Sequence, residues 1–113
     1  MTTPRRGDVW LVDLSPVREH ERSGTRPGLV ISTDPFNEGP GGLVILLPIT
    51  TRQRPVPFHV EVSPPDGGLA ERSFVKCEDV RSVSTERLRK RLGRVSCETV
   101  ARVEDLLRIL LDL

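Results

Sequence analysis

The sequence has few aromatic residues, only two cysteines and no long apolar run. Its aromatic residues are Trp10, Phe36, Phe58 and Phe74. Because these four side chains cannot fill a core, we expect the core to consist of Val, Leu and Ile. Cys77 and Cys97 are too few for a disulfide framework, which favours a reducing, cytoplasmic location. No stretch reaches the roughly 18 apolar residues of a membrane span, and Met1–Asp8 lacks the apolar run of a signal peptide.

Length and composition are typical of one small globular domain. The chain has 113 residues, of which 36% are hydrophobic and 29% are charged. No repeat or long linker divides it, so we predict a single domain over residues 1–113. The net charge is +1, but residues 72–94 contain eight basic and three acidic side chains. This local excess favours a polyanion such as nucleic acid, although a solvated helix face gives the same pattern.

Strand signals separated by turn residues fill the first two-thirds of the chain. The predicted strands cover residues 8–14, 28–33, 42–48 and 58–62, with one or two more over 73–83. Pro48 lacks an amide donor, so we expect its strand to end there or to lie at a sheet edge.

Two helices are predicted after these strands. The first begins after Ser84, has Glu86 in its first turn and ends at Gly93. The second is capped by Ser96. Its apolar stripe consists of Val100, Val103, Leu107 and Leu110, widened by Leu106, Ile109 and Leu113. The pattern predicts an α+β, mostly β fold, in which a small, strongly bent antiparallel sheet or barrel carries a terminal helix.

A polar segment over residues 20–27 contains two candidate functional side chains. Pro27 restricts Arg26 to an extended conformation, so its guanidinium is held on a stiff stem and suits a phosphate. An ordinary surface arginine fits the same pattern. His20 has a side chain that can act as acid or base near neutral pH. The other histidine, His59, alternates within a strand and is interpreted as structural.

Two further groups of side chains are candidates for a functional site, one of hydroxyls and one of charged residues. Thr50 and Thr51 follow an apolar strand, where a hydroxyl can donate to a phosphate oxygen. In an extended strand, Lys76 and Glu78 share one face about 7 Å apart, while Cys77 points to the other. Such a pair is able to stabilise one oxygen and take a proton from another, or it is a solvated pair of little consequence.

The sequence carries no motif for a metal or a cofactor. No His, Cys, Asp or Glu set has the spacing of a metal site, and the sequence has neither a phosphate-binding glycine loop nor a nucleophile elbow. We therefore predict neither a metal nor a cofactor.

Several of these segments together resemble the MazF/PemK family, the endoribonuclease toxins of bacterial toxin–antitoxin pairs. The likeness lies in RGDVWLVDLSP at residues 6–16, GTRP at 24–27 and PIT at 48–50. It continues through Gly68-Leu69, residues 73–83 and Arg87-Leu88, and so covers nearly the whole chain.

The resemblance implies an SH3-like barrel with appended helices and a homodimer whose subunits together form an RNA groove. It implies metal-independent, sequence-specific cleavage of single-stranded mRNA, which inhibits translation and growth. The 2′-hydroxyl attacks the adjacent phosphorus, leaving a 2′,3′-cyclic phosphate and a 5′-hydroxyl. A cognate MazE-like antitoxin neutralises the enzyme, and DNA is not expected to bind the toxin alone.

The same resemblance assigns roles to individual residues. Arg26 and Thr50 match the family's phosphate-binding arginine and threonine, with Arg26 also a candidate acid. Some members use an upstream histidine, matched by His20, and an Arg-Cys-Asp strand, replaced here by Lys76-Cys77-Glu78. Glu78 is the candidate base, and Lys76 keeps the charge of arginine but loses its bidentate fork.

We expect the protein to recognise the unpaired bases of single-stranded RNA. An alternative function is also compatible with the same fold. The candidate RNA contacts are Arg18, Arg22, Thr51, Arg52, Arg54 and Arg81. The alternative is a non-enzymatic toxin, similar to the gyrase poisons, that binds a protein target. Such a toxin does not need the GTRP and PIT segments together, so the endoribonuclease is the favoured interpretation. A peptide-binding SH3 module is disfavoured because it needs an aromatic groove.

Overall fold

A computed structural model describes residues 3–14 and 24–113, which form one antiparallel sheet with a helix packed against it. The strands are β1 (Asp8–Asp13), β2 (Thr25–Val30), β3 (Leu43–Thr50), β4 (His59–Val62), β5 (Ser73–Lys76), β6 (Arg81–Ser84) and β7 (Leu88–Arg94). The helices are α1 (Asp34–Glu38) and α2 (Cys97–Leu111), and 3₁₀ turns cover Asp66–Gly68 and Thr85–Arg87.

The seven strands are hydrogen-bonded in the order β4-β5-β3-β2-β1-β7, and β6 also pairs with β3. Every strand pairing in the described part of the chain is antiparallel, and none joins β4 to β7. The sheet is therefore bent but not closed. The predicted mostly β class, with a bent antiparallel sheet and a C-terminal helix, is confirmed.

Strand β3 is central, and the expectation that it ends or lies at an edge at Pro48 is wrong. Pro48 pairs with Gly28 of β2 on one side. On the other side, β6 pairs with β3 as far as Leu46 and β5 begins to pair at Ile49. Pro48 lies between these two partners, so its missing amide removes no hydrogen bond from either pairing.

The helix predicted from Ser84 to Gly93 is wrong beyond its first turn. Ser84 does cap a turn, because its hydroxyl accepts a hydrogen bond from the Glu86 amide at 3.2 Å, but this turn is a 3₁₀ turn of three residues. The chain then pairs with β1 as β7, with Leu88 opposite Val12 and buried. The sheet pairing and the buried leucine outweigh the helix propensity of this charged segment.

Helix α2 is confirmed, with Ser96 accepting from the Thr99 amide at 3.2 Å as its cap. It packs on the larger of two core clusters through Val103, which is buried, and through partly buried Val100, Leu107 and Leu110. The predicted widening of the stripe fails at its end, because Ile109 is 69% exposed. Leu113 lies beyond the helix and is 84% exposed.

The turn Asp66–Gly68 attaches α2 to the sheet. The Asp66 carboxylate accepts hydrogen bonds from the Ser96 amide and the Thr99 hydroxyl, both at 2.7 Å. Gly68 lies so close to the backbone of β7 that there is no space for a side chain between them. None of the helices in the described ranges has the length and apolar character needed to cross a membrane.

Candidate active site

Arg26 and Thr50 lie side by side at one end of the sheet. Gly28 of β2 is opposite Pro48 of β3, so two residues further along each antiparallel strand Arg26 comes opposite Thr50. Directly opposed residues present their side chains on the same face of a sheet. A depression of about 340 Å³ is lined by Thr25, Arg26, Pro27, Ile49, Thr50, Thr51 and Ser73. The structure therefore brings these two predicted residues together.

The Arg26 guanidinium is exposed and makes no ion pair with any acidic residue in the described ranges. Its backbone is fixed in β2, where it pairs with Val12 of β1. Most other arginines of the described chain are paired with carboxylates. Examples are Arg91 with Asp8 at 3.2 Å and Arg89 with Asp13 at 2.8 Å. The basic excess in residues 72–94 is therefore partly neutralised, whereas no described carboxylate neutralises Arg26.

The Thr50 hydroxyl is oriented by the chain that follows it. Its Oγ1 accepts a hydrogen bond from the backbone amide of Arg52 at 3.1 Å. A hydroxyl has one proton to donate as well as two acceptor positions. Because the amide occupies an acceptor position, the Thr50 proton is left free to donate towards a ligand in the depression.

Lys76 and Glu78 do not lie on one strand, contrary to the prediction. Strand β5 ends at Lys76, and the Asp79 amide donates to the Lys76 carbonyl at 3.1 Å, which turns the chain. Lys76 Nζ lies 3.6 Å from the Asp79 carboxylate, which also binds Arg81 at 2.7 Å. The Cys77 side chain is buried, so it does point away from the surface, as predicted.

His59 contacts Glu78, a contact that the sequence analysis missed. His59 Nε2 and Glu78 Oε2 are 3.1 Å apart. His59 is opposite Lys76 in the β4–β5 pairing, and Lys76 is two residues from Phe74, the partner of Thr50. Diagonal neighbours on a sheet are about 7–8 Å apart. Arg26 on β2, Thr50 on β3, Lys76 on β5 and His59 on β4 therefore follow one another across the same face of the sheet. Strand alternation alone, which made His59 look structural, gives no sign of this contact.

The remaining predicted RNA contacts include both described and undescribed residues. Thr51, Arg52 and Arg54 are exposed in the segment after β3, as expected for a ligand-binding loop. Arg81 is engaged with Asp79. His20, Arg18 and Arg22 lie outside the described residues. Within residues 3–14 and 24–113, no cluster of three His, Cys, Asp or Glu side chains is arranged to hold a metal ion.

The two cysteines differ sharply in accessibility. Burial, and to a lesser extent the neighbouring charge of Glu78, raise the pKa of the Cys77 thiol to about 11. Cys97 is exposed at the start of α2.

This difference predicts selective thiol labelling at pH 8. Thiolate is the reactive form, so one thiol per native chain should react with a disulfide reagent, and two should react after denaturation. Cys97→Ser should leave the native protein unreactive. Rapid reaction of two thiols in the native chain would contradict the buried position of Cys77.

Comparison with known proteins identifies the family of this chain. The PemK-like, MazF-like toxin family of type II toxin–antitoxin systems matches residues 5–111. Endoribonuclease MazF9 of Mycobacterium tuberculosis is 37% identical, over 96% of this chain and 97% of its own length. The crystal structure of MazF from Deinococcus radiodurans superposes with a TM-score of 0.83 at 28% identity and covers all of both chains.

A structure of a toxin in complex with its antitoxin is similar to the same degree. A Deinococcus radiodurans MazE-MazF structure matches at a TM-score of 0.85 and 28% identity, over 100% of this chain and 99% of the matched chain. The family match extends over nearly all of the chain, and so does the alignment with the Mycobacterium tuberculosis endoribonuclease. The protein therefore belongs to the family of PemK-like, MazF-like toxins of type II toxin–antitoxin systems.

Proposed function

We propose that this protein is an endoribonuclease toxin that cuts single-stranded mRNA at a short sequence and so inhibits translation and growth. The observation that carries the proposal is the depression that Arg26 and Thr50 share. Arg26 has no ion pair with a described acidic residue, and Thr50 Oγ1 accepts from the Arg52 amide, which leaves its proton without an acceptor among the described residues. The similarity to an endoribonuclease over most of the chain supports the same activity.

The proposed reaction is an attack by the 2′-hydroxyl on the adjacent phosphorus. The new 2′-oxygen–phosphorus bond forms as the bond from phosphorus to the 5′-oxygen breaks, which gives a 2′,3′-cyclic phosphate and a 5′-hydroxyl. The equatorial oxygens gain negative charge in the transition state. Arg26 donates two N–H groups to them and Thr50 donates its O–H, an arrangement that stabilises the developing charge.

Two proton transfers complete the reaction. A base removes the proton of the 2′-hydroxyl, and an acid protonates the departing 5′-oxygen. We assign the base to Glu78. Lys76, on the same face of the sheet as Thr50, supplies a second cation near the phosphate. His20 and Arg26 remain the candidate acids.

The geometry of the face supports unpaired RNA as the substrate. The exposed segment with Thr51, Arg52 and Arg54 borders the depression, and single-stranded nucleic acid combines phosphate contacts with bases that are free to be read. DNA lacks the attacking 2′-hydroxyl, so it is not a substrate. A toxin that acts on mRNA has to meet it in the cytoplasm, which is the location we propose.

We further propose that the toxin is a homodimer and that a MazE-like antitoxin inhibits it. Surfaces for such contacts are the exposed apolar side chains of Ile109 and Leu111 and the edges of β4 and β7 that no described strand pairs with. A solved mycobacterial endoribonuclease of the same fold is held in complex with its cognate antitoxin. Sedimentation at micromolar concentration should give twice the mass of the chain, and a monomer would contradict the dimer.

Replacement of the Thr50 hydroxyl should slow cleavage without unfolding the chain. Thr50→Val keeps the shape of the side chain but loses the donor, so we expect the single-turnover rate to fall about 10²-fold, as for removal of one transition-state donor. Thr50→Ser should recover most of the rate because it restores the hydroxyl. Equal rates for the valine and serine variants would exclude a role for the donor.

The proposed activity is tested directly by cleavage in the absence of free metal. Purified protein is incubated with a long single-stranded RNA in EDTA, and the cut sites are mapped by primer extension. We expect cuts at one short sequence, with 5′-hydroxyl ends that polynucleotide kinase labels without prior phosphatase treatment. An intact RNA, or ends that carry a 5′-phosphate, would overturn the proposal.

A further inference from the structure

We infer that Arg72 is a stacking platform for one unpaired base of the RNA, next to the phosphate that Arg26 and Thr50 bind. This inference rests on the proposed function and deepens it, because it adds an RNA contact that the sequence analysis does not include. It starts from Phe74, a buried aromatic side chain that lies away from the hydrophobic core.

Phe74 lies on the face of the sheet that carries the candidate active site. It is only 6% exposed, yet it belongs to neither core cluster of the described chain. It is opposite Thr50 of β3 on one side and opposite Glu61 of β4 on the other. Directly opposed residues present their side chains on the same face of a sheet, so the ring of Phe74 is a neighbour of Thr50.

The guanidinium of Arg72 covers this ring. Arg72 Cζ is 5.2 Å from the centroid of the Phe74 ring, a distance typical of a cation–π contact. The side chain of Arg72 is nevertheless 53% exposed. A planar group that lies over a ring and is still half exposed has surface left for a second planar group.

Glu61 holds the guanidinium in place through two hydrogen bonds. Arg72 Nε donates to Glu61 Oε2 at 2.5 Å, and Arg72 Nη2 donates to Glu61 Oε1 at 3.1 Å. Such a bidentate pair fixes the plane of the guanidinium. The hydrogen bond from Arg72 also lowers the pKa of Glu61, so the pair stays ionised at neutral pH. A group that is already fixed loses little conformational freedom when a ligand binds.

The same ion pair indicates which part of the RNA Arg72 contacts. Glu61 neutralises Arg72, whereas no described carboxylate neutralises Arg26. A phosphate at Arg72 would have to approach the carboxylate of Glu61, and the two negative groups repel each other. A base has an uncharged planar face, and unpaired bases stack on guanidinium planes as they do on aromatic rings. Arg72 is therefore suited to a base, and Arg26 to a phosphate.

The position of the platform places the stacked base near the cut. Thr50 and Phe74 are on neighbouring strands, which are about 4.8 Å apart. A base on Arg72 therefore belongs to a nucleotide close to the scissile phosphate. Because every base has a face that can stack, the platform adds affinity and directs the path of the strand, while the choice of sequence depends on other contacts.

The test combines variants of the full-length protein with RNA that lacks single bases. The oligonucleotide is single-stranded, spans the mapped cut site and has a 2′-deoxy residue there, so that it binds without being cut. Further versions carry one abasic site at each position near the cut in turn. The variants are Arg72→Ala and Arg72→Lys. Arg108→Ala is the matched control, because Arg108 is 56% exposed and is also paired with a carboxylate. Thermal unfolding checks that each variant is folded.

We expect Arg72→Ala to weaken binding of the complete oligonucleotide about 10–100-fold, the loss typical of one stacked base. Arg72→Lys should lose about as much, because lysine keeps the charge but has no planar group. At one position, removal of the base should weaken binding to the native protein by a similar factor. The Arg72→Ala variant should bind that abasic oligonucleotide and the complete one equally, because the two changes remove the same contact.

Cleavage kinetics separate this binding role from a role in the chemical step. With cleavable RNA and protein at saturating concentration, Arg72→Ala should keep the maximal single-turnover rate within about twofold. Only the protein concentration at half-maximal rate should rise, as expected when binding is lost equally from the ground state and the transition state. Arg108→Ala should match the native protein in both quantities.

Several results would overturn the inference. One is native affinity in Arg72→Ala, which is the result expected of an ordinary exposed ion pair. Others are native affinity in Arg72→Lys, or losses from Arg72→Ala and from base removal that multiply at every position. If the native protein cuts RNA while Arg72→Ala binds it normally, the proposed endoribonuclease stands and only the platform fails. If the native protein cuts no RNA, both fail.

Discussion

Arg26→Ala should reduce the single-turnover rate of RNA cleavage about 10³-fold, at the upper end of the loss seen when one transition-state donor is removed. The side chain supplies both a full positive charge and a planar pair of N–H donors, and no described acidic residue neutralises it. The thermal midpoint should change little, because the guanidinium is exposed and makes no ion pair in the described chain. The measurement is a time course of cut RNA at saturating protein.

Two further variants separate charge from geometry. Arg26→Lys keeps the charge but loses the bidentate fork, so its rate should lie between those of the native protein and the alanine variant. Arg108→Ala removes an exposed arginine on α2 that is paired with Asp105, and it should cut RNA at the native rate. A native rate in Arg26→Ala would remove the arginine from the mechanism.

Gly68→Ala should destabilise the fold more than any surface substitution. A Cβ on Gly68 would lie 2.0 Å from the Leu92 carbonyl oxygen, and the residue has a φ of +70°, which disfavours any side chain. Both atoms in this overlap belong to backbone that is fixed by the turn and by β7. We expect a loss of ~4 kcal/mol or more in the free energy of unfolding, a large part of the stability of a small domain.

Denaturant unfolding measures this loss, and Gly41→Ala provides its control. A Cβ at Gly41 would meet no atom within 4 Å, so that variant should stay within about 0.5 kcal/mol of the native protein. Because the Gly68 turn also carries Asp66, which binds Ser96 and Thr99 at the start of α2, the helix and sheet signals in circular dichroism should be lost together. A native-like stability for Gly68→Ala would mean that the turn does not contact β7 as closely as the structure places it.

The parts of this fold that could be predicted depend on local sequence. Apolar and β-branched runs identify β1, β3 and β4, and Ser96 followed by a 3.6-residue apolar repeat identifies α2. In these cases the signal lies within a few residues of the feature that it predicts. Arg26 and Thr50 were expected to converge because GTRP and PIT resemble the family's motifs, and it is the pairing of β2 with β3 that brings them together.

The parts that could not be predicted depend on distant contacts. Leu88 forms part of a strand because Val12 lies opposite it, and the sequence around Leu88 carries no sign of that pairing. Pro48 is tolerated in a central strand because two different strands adjoin β3 on either side of it. Strand β5 ends at Lys76, and the contact of Glu78 with His59 joins residues that are 19 positions apart in the chain, so periodicity alone could not predict where Glu78 lies.

The most direct measurement of the central claim is a crystal structure with bound RNA. The oligonucleotide is single-stranded, spans the mapped cut site and has a 2′-deoxy residue there, so that it binds but cannot react. We predict that the oxygens of the scissile phosphate lie within hydrogen-bond distance, about 2.7–3.2 Å, of both the Arg26 guanidinium and Thr50 Oγ1. RNA bound with that phosphate on another surface, and with the Arg26–Thr50 depression empty, would contradict the account.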